Sequence, residues 1–93
     1  MQNIEVTDMH LVAALFAYEA NYVGVDRADK RNQRFLFDEE LGVSVIFTKR
    51  HGVIEEIEYP TYEQIKLAYD TVSLMYPPTY VEALRRVKGI IHT

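Results

Sequence analysis

The chain has 93 residues, 48% of them apolar and 26% charged, the proportions of one folded domain spanning 1–93 rather than of a disordered chain. Fourteen Asp and Glu outnumber ten Lys and Arg, for a formal net charge of −4; this argues against a nucleic-acid binder, whose affinity comes largely from neutralising phosphates. Cysteine is absent, so there is no disulfide, thiolate metal site or cysteine nucleophile, and no apolar run approaches the roughly 18 residues of a membrane span.

The start, MQNIEVTD, lacks the basic lead and apolar core of a signal peptide. The expected location is the cytoplasm, a host's cytoplasm if the gene is viral. TDMHLVAALFAYEA (7–20) reads as a helix with Thr7 as cap and Asp8 in the first turn; Leu11, Leu15 and Tyr18 share a face flanked by Val12 and Phe16, an arc wide enough to predict deep burial. NYVGVDR (21–27) and QRFLFDEE (33–40) read as strands around the polar turn ADKRN (28–32). Phe35 and Phe37 share one face and are expected in the core. Asp38, Glu39 and Glu40 alternate sides on a strand, so they end it better than they hold an ion.

LGVSVIFTK (41–49) alternates with period two, and KRHG (49–52) turns into VIEEIEY (53–59). The glutamates of that last strand leave neither face cleanly apolar, which predicts a partly exposed edge strand. After Pro60, Thr61 and Gln64 have the spacing of a capping box for a helix carrying Ile65, Ala68, Tyr69, Val72, Met75 and Tyr76, stopped by Pro77 and Pro78. Thr79 and Glu82 suggest a second box, opening a helix with Tyr80, Leu84, Val87 and Ile91 as its core stripe. The order is α-β-β-β-β-α-α, an α+β domain with a small, mainly antiparallel sheet and helices packed on one face.

Catalytic patterns are missing. His10, His51 and His92 show no zinc spacing, there is no Gly-x-Ser-x-Gly, and the four glycines are not grouped into a phosphate loop. No catalytic residue, metal ligand or cofactor is expected, and the chain reads as a non-enzyme. Two surface features stand out. Tyr62, Tyr69 and Tyr76 are spaced by sevens with Ile65 and Val72 between them, a short a/d stripe that belongs either to the core or to an interface. Arg27, Lys30, Arg31 and Arg34 surround the first hairpin turn, and Lys49, Arg50 and His51 tip the second. Tyrosine, present seven times beside four Phe and no Trp, suits interfaces because it joins a large apolar face to a polar tip.

Three stretches, TDMHLVAALFAYEANYVGVDR, RFLFDEE and YVEALRRVKGIIH, resemble the family known as domain of unknown function 5659, small proteins of phage and mobile-element genomes. The matching residues are Thr7, Asp8, Ala13, Phe35, Phe37, Asp38, Ala83, Leu84, Arg85, Lys88 and Ile91, within 7–40 and about 65–92. Here Leu41–Pro60 intervene as an extra hairpin, and Glu19-Ala20-Asn21 stand where the family usually has glycine. The family has no established activity, so the resemblance implies a context, that of a small intracellular accessory protein, and no site residue.

The resulting expectation is a protein–protein interaction protein, acting on a host protein or assembling as a homodimer through Tyr62, Tyr69, Tyr76 and the tip Lys49, Arg50, His51. The alternative is a nucleic-acid or nucleotide-ligand binder using Arg31, Arg34, Lys49 and Arg50.

Overall fold

A computed structural model of the chain describes residues 3–29 and 31–92. It has the expected α+β order, preceded by one short strand. The elements are β1 (Ile4–Val6), α1 (Met9–Ala17), β2 (Tyr22–Asp26), β3 (Arg34–Phe37), β4 (Val45–Arg50), β5 (Val53–Glu58), α2 (Tyr62–Asp70) and α3 (Tyr80–Ile91). β1 has three residues, too few to show any periodicity.

β3 is the centre of a three-stranded antiparallel sheet, between β1 and β2. Phe35 and Phe37 point to one face and are fully buried, as their spacing predicts. Phe16 of α1 lies over both rings, at 6.3 and 5.7 Å between centroids, and over Tyr22 at 4.9 Å. α1 buries Leu11 to Leu15 without a break and packs on α3, which contributes Ala83 and Val87. Deleting either phenylalanine ring would cost about 3–5 kcal/mol, a large share of the roughly 5–15 kcal/mol available to such a domain.

β4 and β5 form a separate two-stranded sheet. The chain between the sheets is a loop where continuous strand was expected. Asp38 Oδ1 accepts from the Glu40 amide at 2.9 Å, turning the chain straight after Phe37. Gly42 then has φ +70°, and a side chain there would run into Asn21. Asn21 itself pins the loop, its amide donating to Leu41 O at 2.7 Å and its Nδ2 to Glu40 O at 2.9 Å. The tip of the second hairpin matches KRHG. His51 and Gly52 both have positive φ between the paired Arg50 and Val53, the geometry of a two-residue hairpin turn.

Four helix ends differ from expectation. α1 is capped by Asp8, not Thr7: Oδ1 accepts from the amides of His10 (2.9 Å) and Leu11 (3.3 Å). It stops at Ala17, because Glu19 takes a left-handed conformation with φ 63°. Thr61 and Gln64 do form the capping box of α2. That helix nevertheless ends at Asp70, well before the prolines. Val72 turns left-handed (φ 57°), and the amides of Ser73 and Leu74 both close onto Ala68 O. Thr79 is already in helical conformation and makes no capping bond, so the second box is absent; a cap needs extended backbone to aim its oxygen at the first amides.

Candidate interaction site

The early end of α2 divides the tyrosine stripe. Tyr62 and Tyr69 are on the helix and half-buried, whereas Tyr76 lies beyond it, 45% exposed. The residues between form an extended segment along β4: the Lys49 amide donates to Ser73 O at 2.7 Å and the Met75 amide to Phe47 O at 2.8 Å. Ser73 and Leu74 are buried by this pairing. Its hydrogen bonds along β4 outweigh the helical continuation that the spacing of Val72, Met75 and Tyr76 suggests.

The half-buried pair has a structural task. The Tyr69 hydroxyl donates to Asp8 Oδ2 at 2.9 Å, tying α2 to the cap of α1. Burial, reinforced by that carboxylate, pushes the Tyr69 phenol far above its ordinary range, so it keeps its proton and remains a donor. Burial also raises Tyr62. His10 Nδ1 and the Tyr80 hydroxyl lie 3.1 Å apart, and the Tyr80 ring rests on Tyr76 at 4.5 Å. Asp8 is thus occupied by three donors, and the cluster holds elements together.

Tyr76 belongs instead to a cleft of about 530 Å³ between the end of α1, the entry to β4 and the segment Met75–Pro78. Its walls include Tyr18, Phe47, Met75, Tyr76, Pro77 and Pro78. Tyr18 sets its shape: its hydroxyl donates to Met75 O and accepts from the Phe47 amide at 3.3 Å. Burial raises its phenol too, with the Phe47 amide opposing. The polar end of Tyr18 is therefore satisfied, and its ring is left as apolar wall.

The cleft continues onto the outer face of the β4–β5 hairpin. The register sets Val45, Phe47 and Lys49 beside Glu58, Glu56 and Ile54 on that face. Phe47 is 40% exposed there and Ile54 near the tip more exposed still, while Val53, paired with Arg50, is exposed on the opposite face. Lys49, Arg50 and His51 are exposed at the tip, as expected. The structure thus joins Tyr76 to the second hairpin; it lies off the helix that carries Tyr62 and Tyr69, yet within electrostatic reach of Tyr69. Phe47 was missed by sequence reading; the alternation of 41–49 puts it opposite Ile46 and Thr48 but does not say which face is buried, and the structure buries Ile46 and Thr48.

The basic residues of the alternative reading are divided between the two sheets. Arg27 Nη2 donates to Ile90 O at 2.7 Å, and Arg34 pairs with Glu5 at 3.3 Å. Arg31 is exposed in the turn; Lys30 lies outside the described residues. Among the described residues no helix is long and apolar enough to cross a membrane.

Comparisons with family models, curated proteins and solved structures give no match to this chain.

Proposed function

We propose that this chain is a small non-enzymatic interaction protein that binds a protein partner through the outer face of β4–β5 and the adjoining cleft. The observation that carries this reading is the cleft itself. Phe47 and Tyr76 stand partly exposed on its walls and lead onto a hairpin with further exposed apolar residues. Aromatic residues around a concavity are what a partner's anchor side chain uses. A cytoplasmic location, and a phage or mobile-element setting, are part of the proposal. The setting rests on the resemblance of short motifs to the domain of unknown function 5659. Their residues include the helix cap Asp8 and the core positions Ala13, Phe35, Phe37 and Ala83, which speak for a fold more than for an activity.

The test is capture from the lysate of the chain's own cell. Tagged wild type retains a specific protein, and Phe47→Ser with Tyr76→Ala releases it while the melting temperature holds. Retention unaffected by both substitutions refutes the reading. Light scattering on the purified chain separates a foreign partner from a second copy.

A further inference from the structure

Among the described residues, β4 is covered along both edges and β5 along one. The amides of Lys49 and Met75 and the carbonyls of Ser73 and Phe47 close one side of β4, and the Phe47 amide reaches the Tyr18 hydroxyl. Phe47 and Lys49 therefore turn their backbone groups away from β5, and by alternation Ile46, Thr48 and Arg50 turn theirs towards it. Their partners are Ile57, Glu55 and Val53. The amides and carbonyls of Ile54, Glu56 and Glu58 then point out of the sheet, where no strand of the described residues pairs with them. The other outer strands are poorer templates: β1 has three residues and β2 is broken by a register shift, whereas β5 is a regular strand of six.

Charge selects what this edge accepts. Across the ladder Glu55, Glu56 and Glu58 face Thr48, Phe47 and Val45, while Lys49 and Arg50 face Ile54 and Val53. The hairpin's cations thus stand opposite apolar residues. The ion pairs found among the described residues, Arg34–Glu5 and Lys66–Asp70, leave the three glutamates out. A second copy fits badly. The two antiparallel self-pairings that keep most of the strand, centred on Glu55 or on Glu56, set that glutamate directly against its own copy, a destabilising arrangement.

We infer that the β5 edge takes an extended basic segment of a protein partner as an added strand. Lysine or arginine would stand opposite Glu55, Glu56 and Glu58, and apolar residues opposite Val53, Ile54 and Ile57. Main-chain bonds to Ile54, Glu56 and Glu58 supply affinity, and the alternating side chains supply the choice of sequence. The inference rests on the reading of the chain as an interaction protein, and it names that partner's chemistry.

The test is a fluorescence-polarisation titration of the whole chain with the labelled, capped peptide Lys-Val-Lys-Lys-Val-Val, the antiparallel complement of β5. Saturable one-to-one binding is expected. It should weaken by roughly tenfold or more on Glu56→Lys with Glu58→Lys, where opposite-charge pairing becomes repulsion. Ile54→Pro should weaken it comparably, since proline on the outward side removes a donor without touching the β4 ladder. N-methylating alternate peptide amides should do the same. Circular dichroism confirms that the variants stay folded. No saturable binding overturns the inference. So does binding indifferent to Ile54→Pro and to N-methylation, which would be charge attraction alone. A dimer with the Ile54, Glu56 and Glu58 amides already protected also overturns it. Tyr76→Ala should leave the peptide's affinity unchanged. Peptide failure with Tyr76-dependent capture intact therefore refutes the edge alone, and peptide binding without such capture refutes the cleft reading alone.

Discussion

Asp8→Ala is the substitution that most sharply separates the observed helix start from the one the sequence suggests. Asp8 Oδ1 holds the amides of His10 and Leu11, and Oδ2 holds the Tyr69 hydroxyl at 2.9 Å. Losing an N-cap costs about 1 kcal/mol. Losing the carboxylate bond to Tyr69 costs about 1 kcal/mol more, near the low end for a charged acceptor because Asp8 is exposed and water can replace it. The sum, about 2 kcal/mol, corresponds to a fall in Tm of roughly 8–16 °C for a domain of this size. Thr7→Ala, by contrast, should stay within about 0.5 kcal/mol of wild type. Urea melts of Asp8→Ala, Tyr69→Phe and the double variant close a cycle, with an expected coupling of about 1 kcal/mol. Full additivity of the two, or a larger effect from Thr7→Ala than from Asp8→Ala, would refute this account of how α1 starts and how α2 is tied to it.

Further outcomes are open to similar checks. Thr61→Ala removes one half of a formed capping box and should cost about 1 kcal/mol, whereas Thr79→Ala removes no capping bond and should be close to neutral by thermal melt; equal effects would contradict the α3 start. Val72 is a β-branched residue in left-handed conformation, 92% exposed, so Val72→Asn should raise stability by about 1 kcal/mol; a lower Tm would contradict the sharp exit from α2. The phenols of Tyr18, Tyr22, Tyr62, Tyr69, Tyr76 and Tyr80 are all raised, with burial as the leading cause. The fold favours their neutral form. That stability is fully present below the ordinary phenol value of about 10 and is lost as pH climbs past it, because the unfolded chain ionises first. Denaturant melts across that range should show the loss, and Tyr69→Phe should show less of it; equal loss would contradict the burial assigned to Tyr69.

Where periodicity and burial coincided, the sequence was readable. Phe35 and Phe37 alternate onto one face, Leu11 to Leu15 crowd one helix, and the glutamates of 53–58 announced an exposed strand. The misreadings arose where backbone conformation decided the outcome. Left-handed turns at Glu19 and Val72 ended helices whose apolar spacing ran on, and valine gives no warning of such a turn. The tyrosine sevenfold failed for that reason: Val72 sends the chain along β4, so Tyr76 never joins the face of Tyr69. Thr7 and Asp8 are both capable caps, and the one that caps is also the one that accepts from Tyr69, sixty-one residues further on, a contact no local pattern shows. The candidate site was legible in its parts, Tyr76 and the charged hairpin. Their union with Phe47 depends on the pairing of Ser73–Met75 with β4, which local sequence does not encode.

The most direct measurement is amide hydrogen exchange along β5, read residue by residue by NMR, with and without the Lys-Val-Lys-Lys-Val-Val peptide. In the free chain the amides of Glu55 and Ile57 should be protected by β4, and those of Ile54, Glu56 and Glu58 should exchange quickly; adding the peptide should slow these three and leave the others as they were. Protection of Ile54, Glu56 and Glu58 in the free monomer, or no slowing at saturating peptide, would contradict the account.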